Sequence, residues 1–389
     1  MKVHFVVASE QVIQNIIPLM MDPPDEVHIA VSEQMKGSLS FENLKRFIKN
    51  KVACKYFIKP DFPSSVVEVS DWVRQYLSSP ELRDAELTVN LTGGTKQMAL
   101  GIYRALSQLA PKTQAIYVNT LSEHIEFIPL DNAPPTRTKE EIPKQLLSTQ
   151  LQFYAHGHRM QSPGASCDDS INDRKALTRN LLEESYKGGY NLVKAINSSA
   201  GNQSSQRISP SNYKSWRLTF SKDEIDKRRW SYLLDQIVTT GLVDTDTDDA
   251  ALRKYVPKSY EAYFYLTGGW LEEYCYNVAS SIPEFEVMHN VKITSIKDDN
   301  VANELDVVIG HHNRMAIIEC KASASEGIVN DAMYKLNGLS RVLGGTLAAK
   351  VLVCPLMAPS DQRSGEHGII TISHRDDMFH LDDQLKDLL

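Results

Sequence analysis

The first 130 residues repeat one pattern: a short apolar run, an amphipathic stretch with helical spacing, then another apolar run. Val3 to Ala8, Glu26 to Val31, Val52 to Ile58 and Leu87 to Leu91 read as strands. Val12 to Met20, Phe41 to Asn50, Val66 to Leu77 and Thr95 to Leu109 read as the helices that follow them. Ala115 to Val118 and Ile125 to Pro129 close the series as strands. Strands that alternate with helices are joined by crossovers, so the sheet is mostly parallel and covered on both faces. A Rossmann-like α/β domain is the expectation for this segment.

The remaining chain is long enough for more than one further domain, since 389 residues exceed the roughly 150 of a typical domain. Asn132-Ala133-Pro134-Pro135-Thr136 reads as an exit turn. Beyond it, helices are expected at Asp173 to Ser185 and from Ser221 to Gly241, the latter opened by the capping box Ser221…Glu224. A strand is expected at Trp216 to Phe220, and loops at Ser162-Pro163-Gly164, Asn197 to Ser205 and the acidic Asp244 to Asp249. Such a region is small and helical, or winged-helix-like. From about residue 255 the pattern changes again. Gly268-Gly269 precedes a helix over Trp270 to Ser280, and strands follow at Val287 to Ile296, Glu304 to Ile309 and Met315 to Lys321. A helix over Val329 to Leu343 and a strand over Lys350 to Cys354 complete it. The expected division is 1–135, 136–254 and 255–389.

Charge and cysteine content narrow the function classes. Lys and Arg number 42 against 49 Asp and Glu, a net charge of −7, which argues against a generally adhesive nucleic-acid binder but permits a local basic groove. Cys54, Cys167, Cys275, Cys320 and Cys354 form no CxxC pair, as expected in a reducing cytoplasm and not of a zinc finger. The opening apolar run is too short for a signal peptide, and no stretch approaches the ~18 apolar residues of a membrane helix. A cytoplasmic location is the expectation.

The segment richest in chemistry is Asn303-Glu304-Leu305-Asp306-Val307-Val308-Ile309-Gly310-His311-His312-Asn313-Arg314-Met315-Ala316-Ile317-Ile318-Glu319-Cys320-Lys321. A hairpin turning at His312 and Asn313 pairs residues whose numbers sum to 625. Asp306 then faces Glu319, and Glu304 faces Lys321. Alternation places these four on one face, with Leu305, Val307, Ile318 and Cys320 packing on the other. Carboxylates gathered this way repel one another and raise one another's pKa unless a cation intervenes. Hard oxygen donors suit Mg²⁺ or Mn²⁺, and the lysine can orient a water or neutralise developing charge. The plain alternative is an exposed hairpin with a Glu304–Lys321 ion pair. His311 and His312 read as turn residues, and Cys320 as core. Lys335, on the following helix, reads as a surface lysine, with contact to a substrate phosphate as its other reading.

This pattern resembles the PD-(D/E)xK nuclease superfamily. Asp306 matches its first aspartate, Glu319-Cys320-Lys321 its ExK element, and Glu272, in Trp270-Leu271-Glu272-Glu273-Tyr274, the upstream helical glutamate. No proline precedes Asp306, a departure the superfamily tolerates. The resemblance implies catalysis by Glu272, Asp306, Glu319 and Lys321, with metal held by Asp306, Glu319 and Glu272. Glu304 joins the metal set from the hairpin geometry.

A second signal is Val89-Asn90-Leu91-Thr92-Gly93-Gly94-Thr95-Lys96-Gln97-Met98, where a strand ends and a helix begins. Glycines there let backbone amides approach a ligand, and the helix N-terminus favours phosphate. The GxxxxGK[ST] spacing is missing, so ATP hydrolysis is not indicated. The first strand also ends in a polar loop, Ser9-Glu10-Gln11, with Asn15 a turn later. Ligands of open α/β sheets bind at this carboxyl edge. The Thr92 to Lys96 element resembles the signature of CARF domains, the CRISPR-associated Rossmann-fold sensors of cyclic oligoadenylates.

The order of a CARF-like domain, a helical middle and a restriction-endonuclease-like α/β domain resembles the CRISPR-ancillary CARF nucleases. That resemblance implies a homodimer that binds a cyclic oligoadenylate, cyclic tetra-adenylate above all, through Ser9, Gln11, Asn15, Thr92, Gly93, Gly94, Thr95 and Lys96. It implies a metal-dependent endonuclease of type III CRISPR antiviral defence acting on single-stranded DNA or RNA, with nicking of duplex DNA in some members. A competing reading is a ligand-responsive transcriptional regulator that binds duplex through Lys227-Arg228-Arg229. A nucleotide-dependent oxidoreductase fares worse, because Ala8-Ser9-Glu10-Gln11 stands where GxGxxG belongs.

Overall fold

The computed structural model describes residues 1–107, 113–130, 135, 137–162, 169–200, 213–246, 249–298, 302–343, 348–357 and 361–389. Two compact units divide the chain: Met1–Arg159 with short pieces from 295–300 and 343–347, and the rest.

The first unit is built on strands β1 (Lys2–Val7), β2 (Glu26–Ala30), β3 (Lys55–Lys59), β4 (Glu86–Asn90), β5 (Thr113–Asn119), β6 (His124–Ile128) and β7 (Lys139–Glu141). Their order is β3-β2-β1-β4-β5-β6-β7. β1 to β5 are parallel, and β6 and β7 are added antiparallel. Period-two alternation along β1 splits its side chains between two cores. Val6 joins Ile16, Ile29 and Phe47 on one face, while Val3, Phe5 and Val7 join Val69, Val73 and Ile102 on the other. Helices Ile13–Met21 and Leu39–Lys51 supply the first core, and Val66–Leu77 and Lys96–Leu106 the second. The expected doubly covered sheet is what the chain forms. Two details differ: Val52 caps a helix instead of starting β3, and the charged β7 has no apolar alternation to betray it.

His4 on β1 is 2% exposed, with Asp22 3.9 Å from its Nε2. Burial lowers its pKa to about 4, against a weaker upward pull from Asp22. The unfolded chain therefore binds a proton near pH 6.5 that the folded one refuses until about pH 4. Stability is fully present above pH 6.5 and is lost as pH falls toward 4, by about 3 kcal/mol at ~1.36 kcal/mol per unit. Urea unfolding between pH 7 and 4.5 tests this. His4→Gln should flatten the slope relative to the parent, and equal slopes would discard the assignment.

The remaining strands are β8 (His158–Ser162), β9 (Leu218–Ser221), β10 (Val243–Asp246), β11 (Leu252–Pro257), β12 (Glu286–Ser295), β13 (Ala302–His311), β14 (Arg314–Cys320), β15 (Ala348–Val353) and β16 (Ile370–Ile372). A three-stranded antiparallel sheet, β10-β11-β9, accompanies helices Lys222–Arg228 and Ser231–Thr239 in a winged-helix-like arrangement. A six-stranded sheet runs β16-β15-β14-β13-β12-β8. One core runs through both regions and joins Leu181, Trp216 and Trp230 to Trp270, Val307 and Ile318.

Several expectations are corrected here. The helix from Ser221 to Gly241 is two helices, because Arg229 adopts φ 57° and lets the chain bury Trp230. The Trp230 indole donates to Glu184 Oε1 at 3.1 Å, a bond a continuous helix would not make. Asn197 to Ser199 belong to the helix Leu192–Ser199, capped by Asn191, and not to a loop. Asp244 to Asp246 lie on β10, where Lys258 and Lys254 offset their charge at 3.6 and 3.5 Å. Ser162, expected in a loop, ends β8. The other two residues of that loop, Pro163-Gly164, lie outside the described residues, as do most of the 132–136 turn, residues 201–205 and Cys167.

Candidate functional site

The hairpin register is the expected one. Val307 pairs with Ile318, Val308 with Ile317, and the ladder runs to His311 and Arg314. His312 turns the chain with φ 54°. Apolar side chains bury both faces of β13 and β14, so the strand ends are held rigidly. Cys320 is core, its sulfur 3.7 Å from that of Cys275.

Where the β13–β14 ladder stops, mid-way along β13 and at the end of β14, charge collects. Asp306 and Glu319 are 6% and 2% exposed. Lys321 Nζ donates to Glu319 Oε1 at 2.6 Å and lies 3.6 Å from Asp306 Oδ2. Asp306 Oδ2 also accepts the Cys320 N–H at 2.8 Å, which fixes that carboxylate in place. Burial by itself would push the Lys321 ammonium down. Asp306, the bonded Glu319 and Glu272 outweigh it and hold the ammonium above the ordinary lysine range. Lys321 is thus a permanent cation at the strand end.

Glu272 reaches the cluster from the helix Trp270–Ser280 and is 2% exposed. A π-type turn, Tyr265–Gly269, links that helix to Tyr260–Phe264. Gly268 there takes φ 148°, open to glycine but strained for other residues. Such π-type turns re-aim side chains and recur at functional sites. The neighbouring Glu273 is occupied by Arg174, so only Glu272 faces the cluster. Glu304 is exposed on β13 opposite Lys292, and among the described residues it joins none of the ion pairs that link the other carboxylates.

Two contacts at the cluster were not expected from the sequence. Lys335, on the helix Glu326–Leu343, is no isolated surface lysine: its Nζ donates to Glu319 Oε1 and Oε2 at 3.0 and 2.8 Å. His289 on β12 places Nε2 3.8 Å from Glu272 Oε2. That nitrogen is buried with no hydrogen-bond partner among the described residues. Burial, opposed by Asp306, holds its pKa below the ordinary histidine range. Helical spacing from Val329 and Leu336 would have marked Lys335 as outward-facing, but its partner is set by packing. For His289 the sequence carries no signal.

The three buried carboxylates supply hard oxygen donors, the right chemistry for a divalent cation. Among the described residues no three His, Cys, Asp or Glu already stand as a metal cage. Instead the ammonium groups of Lys321 and Lys335 occupy Glu319 and supply the positive charge.

The second candidate site lies in the first unit. The loops after β1 and β4 are neighbours, because β1 and β4 pair where the strand order reverses. That reversal is where open α/β sheets form a crevice. Asn15 is fully buried and stitches the loops: its Nδ2 donates to the Val7 carbonyl at 2.9 Å, and its Oδ1 accepts from Asn90 at 3.1 Å. Asn90 in turn accepts the Thr92 N–H at 3.0 Å, and the Thr92 hydroxyl accepts the Val118 N–H at 2.7 Å. Asn15 and Thr92 therefore shape the loop, while Gly94, Thr95 and Lys96 are exposed at the helix N-terminus. Thr95 caps that helix by accepting from Met98 N at 3.2 Å. Ser9 and Gln11 are half-buried on the facing loop. Asn90 was not among the expected site residues; an asparagine closing a strand before a glycine pair was its only trace.

Two family models match the chain: the Card1 CARF domain over residues 3–148 and the Card1-like endonuclease domain over residues 259–389. Can2 from Sulfobacillus thermosulfidooxidans, in complex with cyclic tetra-adenylate, has a TM-score of 0.74 at 19% identity, covering 99% of this chain and 96% of that one. VC1899 from Vibrio cholerae also reaches 0.74, at 17% identity over 100% and 97% of the two chains. A type III CRISPR defence DNA nuclease activated by cyclic oligoadenylate reaches 0.53 at 15% identity, over 97% of this chain and 51% of its own. At these identities the likeness concerns the fold. No curated protein matches the chain.

Proposed function

We propose, for a chain that carries a Card1 CARF domain joined to a Card1-like endonuclease domain, a metal-dependent endonuclease of type III CRISPR defence switched on by a cyclic oligoadenylate. The observation that carries this reading is the Asp306–Glu319–Lys321 cluster where the ladder between two rigid strands stops. An expensive concentration of buried charge is retained where chemistry needs it.

A bound Mn²⁺ or Mg²⁺ supplies an activated water and charge stabilisation on the phosphate. Asp306 and Glu319 hold the cation, with Glu272 and Glu304 completing the carboxylate set. Lys321 Nζ, fixed between Asp306 and Glu319, orients the attacking water and offsets negative charge on the phosphate. Phosphodiesters of single-stranded DNA or RNA are the substrates, with duplex nicking as a further outcome. In the first unit, Ser9, Gln11, Gly94, Thr95 and Lys96 meet the ligand, and Asn15, Thr92 and Gly93 hold their loop in shape. Cyclic tetra-adenylate is the activator, and two copies of the chain form the symmetric pocket that such a ring needs. The activator works only so far as it binds the active arrangement more tightly than the resting one.

No observation favours the regulator. Lys227 pairs with Asp223 at 2.7 Å and Arg228 with Glu224 at 3.4 Å, so two of its three basic groups are neutralised on their own helix.

The test is cleavage of single-stranded DNA, single-stranded RNA and supercoiled plasmid, with and without Mn²⁺ and cyclic tetra-adenylate. Cutting should need both, and chelation should stop it. Full-rate cutting without activator would refute the switch. Binding of the activator without any cutting would refute the nuclease.

A further inference from the structure

The helix Glu326–Leu343 buries Val329, Ala332, Met333 and Leu336 at helical spacing. Away from that face it exposes the consecutive residues Tyr334 and Lys335. Lys335 spans the distance from solvent to the centre: its side chain is 38% exposed, yet its Nζ bonds both oxygens of Glu319, which is 2% exposed. Tyr334 is 62% exposed. Its ring meets His367 edge-on, with centroids 5.9 Å apart. Asn337 holds that imidazole through a 3.2 Å contact to Nδ1.

A solitary exposed tyrosine needs no explanation. This one adjoins a lysine on the catalytic carboxylate and is braced by a pinned ring. An ammonium suits a phosphate and an aromatic face suits a base, which are the two alternating groups of a nucleic-acid strand. In a duplex each base face is taken by its neighbours, so an aromatic side chain finds a free face only on an unpaired base.

We propose that Tyr334 and Lys335 form a substrate subsite beside the nuclease centre, where Tyr334 stacks on one unpaired base next to the cut and Lys335 takes the adjoining phosphate. This rests on the nuclease reading above. Lys335 is held ready by Glu319 and passes to the phosphate when Glu319 is engaged by the cation. Cutting then depends on an intact base at one fixed position relative to the scissile bond.

The experiment uses the full chain with cyclic tetra-adenylate and Mn²⁺, and a short single-stranded oligonucleotide with one mapped cut. A series of that oligonucleotide carries an abasic residue at each position around the cut. For the parent, one abasic position should raise KM about tenfold, the scale of a lost base–aromatic stack. Tyr334→Ala should raise KM on the intact strand by the same factor and lose the abasic penalty, and Tyr334→Phe should restore both. Lys335→Ala should raise KM and weaken its dependence on salt. A purely structural role would leave the abasic penalty in place. A flat abasic series for a parent that cuts, or a penalty that survives in Tyr334→Ala, overturns the subsite alone. A parent that cuts nothing overturns the nuclease reading and the subsite with it.

Discussion

Glu319→Gln is expected to reduce activator-dependent cleavage by about a thousandfold or more, while activator binding stays at the parent level. Among the described residues, Glu319 is the side chain that bonds both Lys321 and Lys335, with contacts at 2.6, 2.8 and 3.0 Å. Removing its charge would take one ligand from the proposed carboxylate set and leave Lys321 with the Cys320 carbonyl at 3.0 Å and Asp306 at 3.6 Å. Glutamine keeps an oxygen acceptor for the ammonium groups, so the fold should survive. Alanine would leave two lysines facing a hole, and buried unpaired charge is costly. Unfolding curves for the glutamine variant, run beside the cleavage assay, separate lost chemistry from lost structure. Parent-like cutting by a folded Glu319→Gln chain would remove the catalytic assignment.

Gly93→Ala is expected to weaken cyclic tetra-adenylate binding by about ten- to a hundredfold, the range that one to three kcal/mol of overpacking produces. A methyl group at Gly93 would stand 2.5 Å from the Val7 carbonyl oxygen and 3.3 Å from Asn15 Oδ1. Val7 cannot retreat, because β1 is paired on both sides, with β2 and β4. The loop must move instead, carrying Gly94, Thr95 and Lys96 with it and breaking the Asn15–Asn90–Thr92 chain of hydrogen bonds. Calorimetry measures the affinity directly. Unchanged affinity would place the ligand away from this crevice. A loss confined to binding, with the endonuclease unit's unfolding unaltered, would assign the crevice to the sensor.

How legible each feature was depended on how far along the chain its determinants lie. The register of the β13–β14 hairpin was readable to the residue, although β14 stops at Cys320, one residue short of Lys321. A two-residue turn fixes register, and the alternation of Leu305, Val307 and Ile309 fixes the face. The helix break at Arg229 was hidden, because Lys222 to Thr239 carries good helical spacing throughout. Only the burial of Trp230 beside Glu184, 46 residues away in sequence, decides it.

The sequence by itself determined the parallel sheet of the first unit, the crevice loops at its strand ends and the placement of Asp306, Glu319 and Lys321 at one end of a hairpin. These follow from strand period, helix period and turn chemistry, which act over a few residues. Tertiary structure alone decided that Lys335 grips Glu319 from a helix 16 residues on, that His289 stands beside Glu272, and that Asn90 ties two loops together across 75 residues. Each joins separate elements whose approach is set by how their apolar faces pack. Side-chain packing is a property of the assembled core, and no local pattern records it.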